Sequence, residues 1–325
     1  MIRCKTIEEL GGIGDSLHLA MGVFDGLHLG HQAVIETAVR GAVISGGVAG
    51  VLTFDPHPAQ ILDPENAPRR IFSSLGHQER LLSAMGVEVL LVLNFDNLMA
   101  HQTAAEFATR LFSIPCLRQV VAGEGWQFGR GRKGTMAFLQ SQSGKYRIDV
   151  DPVAPVMCGG EMISSTRLRK ALREGDLDSV SRMLGRLYSM MGAVEAGEQV
   201  GRKLGAPTAN IATGDEQLPP DGVYTVWARV EGERERREAV ANLGVRPTVG
   251  GTRRLLEVHL LDFEGDLYGK SLEVIFGKMI RREKKFEGRA ELETQIQLDI
   301  EEARRFFDVA GAGLGSNGSP EKRSG

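Results

Sequence analysis

The sequence predicts two domains of different class. The first is an α/β domain on a parallel sheet, and the second is an all-β domain, barrel or sandwich, with one C-terminal helix. Two observations carry this. Strand and helix signals alternate up to about residue 185, and after it strand signals follow one another with no helix between them. Alternation implies a parallel sheet with helices on both faces, and consecutive strands imply antiparallel pairing. A length of 325 residues also suits two cores better than one.

In chain order, Leu17 to Met21 is a short alternating strand that Gly22 ends. Gln32 to Arg40 carries Val34, Ile35, Ala38 and Val39 at helical spacing. Val48 to Phe54 is a second strand, and Glu79 to Met85 a helix that stops at Gly86. Val87 to Phe95 is almost wholly apolar, as a strand covered on both faces should be. Thr103 and Glu106 form a capping box for a helix to Phe112, and Gln119 to Ala122 is a further strand. Beyond Gly185, strands are expected over Met190 to Val194, Val223 to Val230, Glu238 to Leu243, Leu255 to Phe263 and Leu272 to Ile280. Leu256, Val258 and Leu260 share one strand face. Leu292, Ile296, Ile300, Ala303 and Phe307 form the stripe of a covering helix. Residues 311–325 are rich in Gly and Ser, lack apolar content and are expected to be a disordered tail. The boundaries expected are thus 1–185, 186–310 and 311–325.

Composition narrows the function. A formal net charge of −3 offers no basic face for nucleic acid and no polybasic membrane anchor, yet permits a locally basic site for a small anion. Cys4, Cys116 and Cys158 are odd in number and widely spaced, which argues against a disulfide framework and a zinc site. No apolar run approaches the roughly 20 residues of a membrane-spanning helix, and Met1 to Leu10 does not read as a secretory signal. A cytoplasmic protein is expected. Self-association is left open.

The sharpest motif is Gly22-Val23-Phe24-Asp25-Gly26-Leu27-His28-Leu29-Gly30-His31, between the first strand and the first helix. Ligands of α/β sheets bind at the carboxyl ends of strands, and a helix N-terminus there suits phosphate. His28 and His31 could face the same way and stabilise charge developing on an α-phosphate. Gly30 allows close backbone approach. On residue types alone, the two histidines could equally be solvated or capping residues. A second cluster, Ile163-Ser164-Ser165-Thr166-Arg167-Leu168-Arg169, reads either as a capped helix start with a basic face or as a second phosphate clamp. An HxGH with a distant ISSTxxR resembles the Rossmann-like nucleotidylyltransferases. With Thr53-Phe54-Asp55-Pro56-His57-Pro58 added, the string resembles the FMN adenylyltransferase half of bacterial bifunctional FAD synthetases. The resemblance implies ATP-phosphate contacts at Gly22, Phe24, Asp25, His28, Gly30 and His31. It also implies closure by Ser164, Ser165, Thr166 and Arg167, and a flavin-lining place for His57. Gly125 departs from the pattern, where the family more often has Asp or Asn.

Gly201-Arg202-Lys203-Leu204-Gly205-Ala206-Pro207-Thr208-Ala209-Asn210 is a glycine-bounded basic loop ending in two hard oxygen ligands two residues apart. Such oxygens suit Mg²⁺ held with ATP phosphates, although spacing alone favours a plain turn. The stretch resembles the signature of riboflavin kinase domains. Further agreement comes from Gly222-Val223-Tyr224, Ala241-Asn242-Leu243-Gly244, Leu256-Glu257-Val258-His259, Asp266-Leu267-Tyr268-Gly269, and Ile280-Arg281 with Phe286. Ala206 and Val249 depart from it. The resemblance, from about residue 15 to 307, implies a barrel kinase domain after the nucleotidyltransferase domain. Gly201, Lys203 and Gly205 would hold phosphates, Thr208 and Asn210 Mg²⁺, Arg281 the flavin, and Glu257 would be the general base. Riboflavin, FMN and ATP are the implied substrates, and FMN and FAD the products.

Overall fold

The computed structural model describes residues 1–14, 16–72, 74–195, 208–214, 216–248 and 251–314; of these, 246–248, 251–253 and 311–314 are described by backbone only. Two compact units result: residues 1–171 with 178–186, and residues 172–177 with 187 onward.

The first unit contains β1 (Ile2–Cys4), β2 (Leu17–Met21), α1 (Leu29–Ser45), β3 (Val48–Asp55), α2 (Pro58–Leu62), α3 (Leu75–Ala84) and β4 (Val89–Asn94). Then come α4 (Asn97–His101), α5 (Ala104–Phe112), β5 (Leu117–Gly123), α6 (Met136–Ser143) and β6 (Asp149–Val153). The hairpin β7 (Met157–Cys158) and β8 (Glu161–Met162) precedes α7 (Ser165–Glu174) and α8 (Leu177–Leu184). The six-stranded sheet has the order β1-β4-β3-β2-β5-β6, and every pairing in it is parallel. The chain moves from β2 outward through β3 and β4, then crosses back to β5. The switch point therefore lies between β2 and β5, where an open parallel sheet leaves a crevice. One face of the sheet packs Leu17, Leu19, Leu52, Leu91 and Val120 against Phe107, Leu111 and Leu139. The other packs Ala20, Val51, Leu90 and Val121 against Val34, Ile35, Ala38 and Leu82.

Local signals hold well here. Thr103 and Glu106 form both bonds of the capping box, and α5 buries Phe107, Ala108, Leu111 and Phe112. The strand expected over Val87 to Phe95 occupies Val89–Asn94. β1, β6 and the β7–β8 hairpin are not among the strands expected from the sequence. Each is short, and β6 carries Pro152, which a strand-end position at the sheet edge tolerates.

The second unit is a closed barrel, which decides between the two all-β alternatives. Its strands are β9 (Ser189–Glu195), β10 (Ala209–Ala212), β11 (Gly222–Val230), β12 (Arg237–Thr248), β13 (Gly251–Leu260) and β14 (Ser271–Arg282). They close in the order β10-β13-β12-β11-β14-β9, and all pairings are antiparallel. Leu256, Val258 and Leu260 are buried as their alternation requires. The covering helix is α9 (Arg289–Leu314), whose Ala303 and Phe307 pack on Val223, Val240 and Leu261. It runs past Gly311, where the tail was expected to begin. Residues 315–325 lie outside the described residues.

Candidate functional site

The loop after β2 is unusual in its backbone. Phe24 and Leu27 have φ of 52° and 45°, and Gly26 between them 91°. Left-handed backbone at non-glycine residues costs on the order of 1–3 kcal/mol each and persists only where surrounding contacts enforce it. Those contacts are explicit, because six consecutive carbonyls are each held by a protein donor. Thr53 Oγ1 donates to Val23 O at 2.8 Å and Gln78 Nε2 to Phe24 O at 3.3 Å. Ser165 Oγ donates to Asp25 O at 3.0 Å, and Arg186 Nη2 to Gly26 O at 3.0 Å. Leu27 O accepts from Gln32 Nε2 at 2.8 Å and Arg186 Nη1 at 3.0 Å, and His28 O from the Gln32 amide at 2.9 Å. With the carbonyls drawn into the protein, the N–H groups of residues 23–30 meet no protein acceptor among the described residues. Free amides in a strained turn at a helix N-terminus form an anion-binding concavity.

The two histidines stand at its edge. His28 is the N-cap of α1, its Nδ1 accepting the His31 amide at 3.3 Å, so the neutral ring carries its proton on Nε2. The rings stack with centroids 3.7 Å apart. Capping and site-lining, alternatives from the sequence, are thus compatible in His28. A Cβ at Gly30 would lie 3.1 Å from His28 Cε1, so glycine leaves room for this ring. Burial pushes the His28 imidazole down to about 4, with Arg186 and Arg169 pushing the same way and Asp25 opposing them. Burial, then His28 and Arg169, hold His31 well below the usual range, and its Nδ1 is shielded without a partner. Both rings are therefore neutral near pH 7. An incoming polyphosphate would find donors and dipoles rather than a formed cation.

Asp25 is buried, and both oxygens of its carboxylate are bonded to protein donors. Oδ1 accepts the Ile71 and Phe72 amides at 2.9 and 3.3 Å, and Oδ2 accepts Arg169 Nη2 at 2.6 Å. It ties the loop, residues 71–72 and α7 together rather than offering a free oxygen. Ser164 Oγ accepts the Arg167 amide and caps α7, whereas Ser165 reaches the loop. Thr166 is exposed. Arg167, expected to close the site, donates Nη1 to Cys158 O at 2.8 Å and Glu161 O at 3.1 Å on the β7–β8 hairpin. Arg169 takes the inward position instead. The signal was available: Arg169 is four residues after Ser165 and shares its helix face, and Arg167 does not. His57 caps α2, its Nδ1 accepting the Ala59 amide at 3.1 Å. Burial lowers its pKa; Asp25 opposes this, and Arg169 and Arg70 add to it. Gly125 is exposed with open space at its Cβ position, so an Asp or Asn there would fit.

In the barrel, register sets the site. Asn210 lies opposite Glu257, Glu257 opposite Asn242, Asn242 opposite Val223, and Val223 opposite Arg281. Directly paired residues of antiparallel strands project to one face. Val223 packs against α9, so the row Asn210, Glu257, Asn242 and Arg281 lies on the outer face, away from Leu256 and Val258. Thr208 shares that face two residues before Asn210. Arg281 Nε and Nη2 grip the buried Asp299 carboxylate at 2.9 and 2.8 Å, so this guanidinium fastens α9 to the barrel. Beside Thr208 is a cavity of about 620 Å³, lined by Val194, Leu260, Phe263, Asp266, Leu267 and Tyr268 among others. Gly201, Lys203, Gly205, Ala206 and Val249 lie outside the described residues.

A strained loop with unpaired amides lies at the switch point of a parallel sheet, the place where such sheets bind ligands. The barrel row with one carboxylate between two amide side chains is a second candidate site, in the other unit. Two candidate sites on two folds fit a two-domain transferase, the class that the family comparisons show. A family model described as FAD synthetase matches residues 14–167, and one described as riboflavin kinase matches residues 184–307. The chain is 37% identical to the bifunctional riboflavin kinase/FMN adenylyltransferase of Pseudomonas fluorescens, over 87% of this chain and 91% of that one. It is 36% identical to that of Escherichia coli K12, over 90% and 93%, and 35% to that of Bacillus subtilis, over 89% and 92%. A crystal structure described as a macrolide-efflux protein from Streptococcus pneumoniae is 32% identical, with a TM-score of 0.79, over 93% of this chain and 98% of that one. No helix among the described residues is long and apolar enough to cross a membrane. The chain belongs to the family of bifunctional riboflavin kinase/FMN adenylyltransferases, flavin-cofactor transferases that carry both domains in this order.

Proposed function

We propose that this chain phosphorylates riboflavin to FMN on the barrel and adenylylates FMN to FAD, releasing pyrophosphate, at the loop after β2. The observation that supports the division is the six-carbonyl anchoring of residues 23–28, which leaves the amides of 23–30 free to bind an anion. The FMN phosphate attacks the α-phosphorus of ATP, and no covalent enzyme intermediate is needed. The free amides and the Nε2–H of His28 stabilise charge as it develops on the transferring group. His31 backs His28 by stacking. Ser165 and Arg169 hold the loop in shape. His57 lines the flavin side.

On the barrel, Glu257 accepts the proton of the riboflavin hydroxyl that takes the γ-phosphoryl group. Thr208 and Asn210 present hard oxygens on the Glu257 face, a donor set that fits Mg²⁺, which would neutralise phosphate charge there. The cavity beside Thr208 has apolar and aromatic walls that suit the base of ATP. Gly201, Lys203 and Gly205 would cover the phosphates. Asp299 and Arg281 keep α9 in place on the flank where the flavin would lie. The substrates make this a cytoplasmic enzyme.

The test is to incubate the pure protein with riboflavin, ATP and Mg²⁺ and to separate the flavins over time. FMN should rise first and FAD follow. His28→Ala should accumulate FMN and make no FAD. FAD formation by that variant at the wild-type rate would remove adenylyl transfer from this loop.

A further inference from the structure

The FAD synthetase match ends at residue 167, and the riboflavin kinase match begins at 184. Residues 184–186 would thus be counted with the kinase, yet they pack in the first unit. Arg186 spans two neighbouring carbonyls of the strained loop, Nη2 on Gly26 and Nη1 on Leu27, both at 3.0 Å. Gln32 of α1 bridges Leu27 O at 2.8 Å and Leu184 O at 2.6 Å. Gly185 has φ of 65°, and a Cβ on it would lie 2.7 Å from Leu29 Cδ2. Two hydrogen-bonded bridges that meet on Leu27 O, and the close approach of Gly185 to Leu29, thus fasten this short segment to the loop and to the first turn of α1.

We infer that Gly185-Arg186 is a latch for adenylyl transfer: Arg186 is a positioning residue that grips the Gly26 and Leu27 carbonyls so that the loop amides face the transferring phosphate. The physical need is plain. Leu27 is held with φ of 45°, a conformation that a non-glycine residue keeps only where surrounding contacts enforce it. A planar guanidinium presents two parallel donors and can hold two carbonyls at once, whereas an ammonium cannot hold that geometry. The Arg186 charge also lies near His28, on which it acts together with Asp25 and Arg169.

The inference rests on the assignment of adenylyl transfer to this loop, so the experiment separates the two. FAD formation from FMN and ATP is measured with the full chain carrying Arg186→Met, Arg186→Lys, Gly185→Ala or His28→Ala. Displacement of reacting groups by about 1 Å can lower a rate by about 10²-fold, and a fall in kcat of that order is expected for Arg186→Met, with the KM for FMN little changed. Arg186→Lys should remain well below wild type although the charge is kept. Gly185→Ala should lower kcat in the same direction. Full recovery by Arg186→Lys, or a wild-type kcat in Arg186→Met, overturns the latch. Should Arg186→Met fail to fold, Gly185→Ala decides by the same measurement, and a wild-type kcat there overturns it. Survival of FAD formation in His28→Ala sinks the assignment of the loop itself. Its loss there, with full activity in the latch variants, sinks only the latch.

Discussion

Lowering the pH should weaken the first unit through His28. An unfolded histidine titrates at about 6.5, whereas the folded His28 does so at about 4, because burial disfavours its cation. The sign follows directly. Above pH 6.5 the ring is neutral in both states and contributes no pH dependence. As the pH falls below 6.5 the unfolded chain takes up a proton that the folded chain refuses, and stability drops until about pH 4. The full effect is about 3 kcal/mol, of which about 2 kcal/mol is already lost by pH 5. His31 is depressed by burial as well, so it adds in the same direction. The two tryptophans offer a clean assay, since Trp126 lies in the first unit and Trp227 in the second. Denaturant unfolding is followed by Trp126 fluorescence in a Trp227→Phe background at pH 7.5, 6 and 5. His28→Gln should show a smaller loss between pH 7.5 and 5, by about 2 kcal/mol relative to the parent. Identical pH dependence in the two proteins would refute the burial argument for this ring. Inorganic pyrophosphate, by placing negative charge beside His28, should blunt the acid loss in the parent.

Three further outcomes are expected. Arg169→Met leaves Asp25 buried without its cation and should destabilise the Trp126 transition by about 3–5 kcal/mol, with partial recovery in the Arg169→Met/Asp25→Asn double variant; an unchanged midpoint would show the pair to be dispensable. Glu257→Gln should slow FMN formation by about 10²–10⁴-fold at saturating riboflavin, ATP and Mg²⁺, while FAD formation from added FMN stays at the parent rate; a near-parental kinase rate would send the search for the base elsewhere on the barrel. Thr208→Ala and Asn210→Ala should lower the kinase rate in a way that extra ATP and Mg²⁺ partly restore, and insensitivity to the added metal would remove these oxygens from the phosphate site.

The sequence alone carried the features that are local. The capping box at Thr103, the alternation of Leu256, Val258 and Leu260, and the stripe through Ala303 and Phe307 each sit within one element, where period and cap chemistry decide. The loop after β2 was legible for the same reason, since glycines and histidines between a strand and a helix mark a strand's carboxyl end. What the sequence could not carry were pairings set by register and crossover. Asp25 meets Arg169 from 144 positions away, and Arg186 grips carbonyls about 160 positions earlier. Glu257 stands between Asn210 and Asn242 because three strands of a closed barrel align there, and a slip of one residue would turn it to the other face. Which arginine of the Ser164–Arg169 cluster faces the loop was settled by the helix face that packs inward. Motif letters specify which groups are available, but the direction of a side chain depends on the packing of elements distant in sequence. Only the folded chain therefore decided that Asp25 is held by Arg169 and the amides of residues 71–72, and that Arg186 grips the carbonyls of the loop after β2.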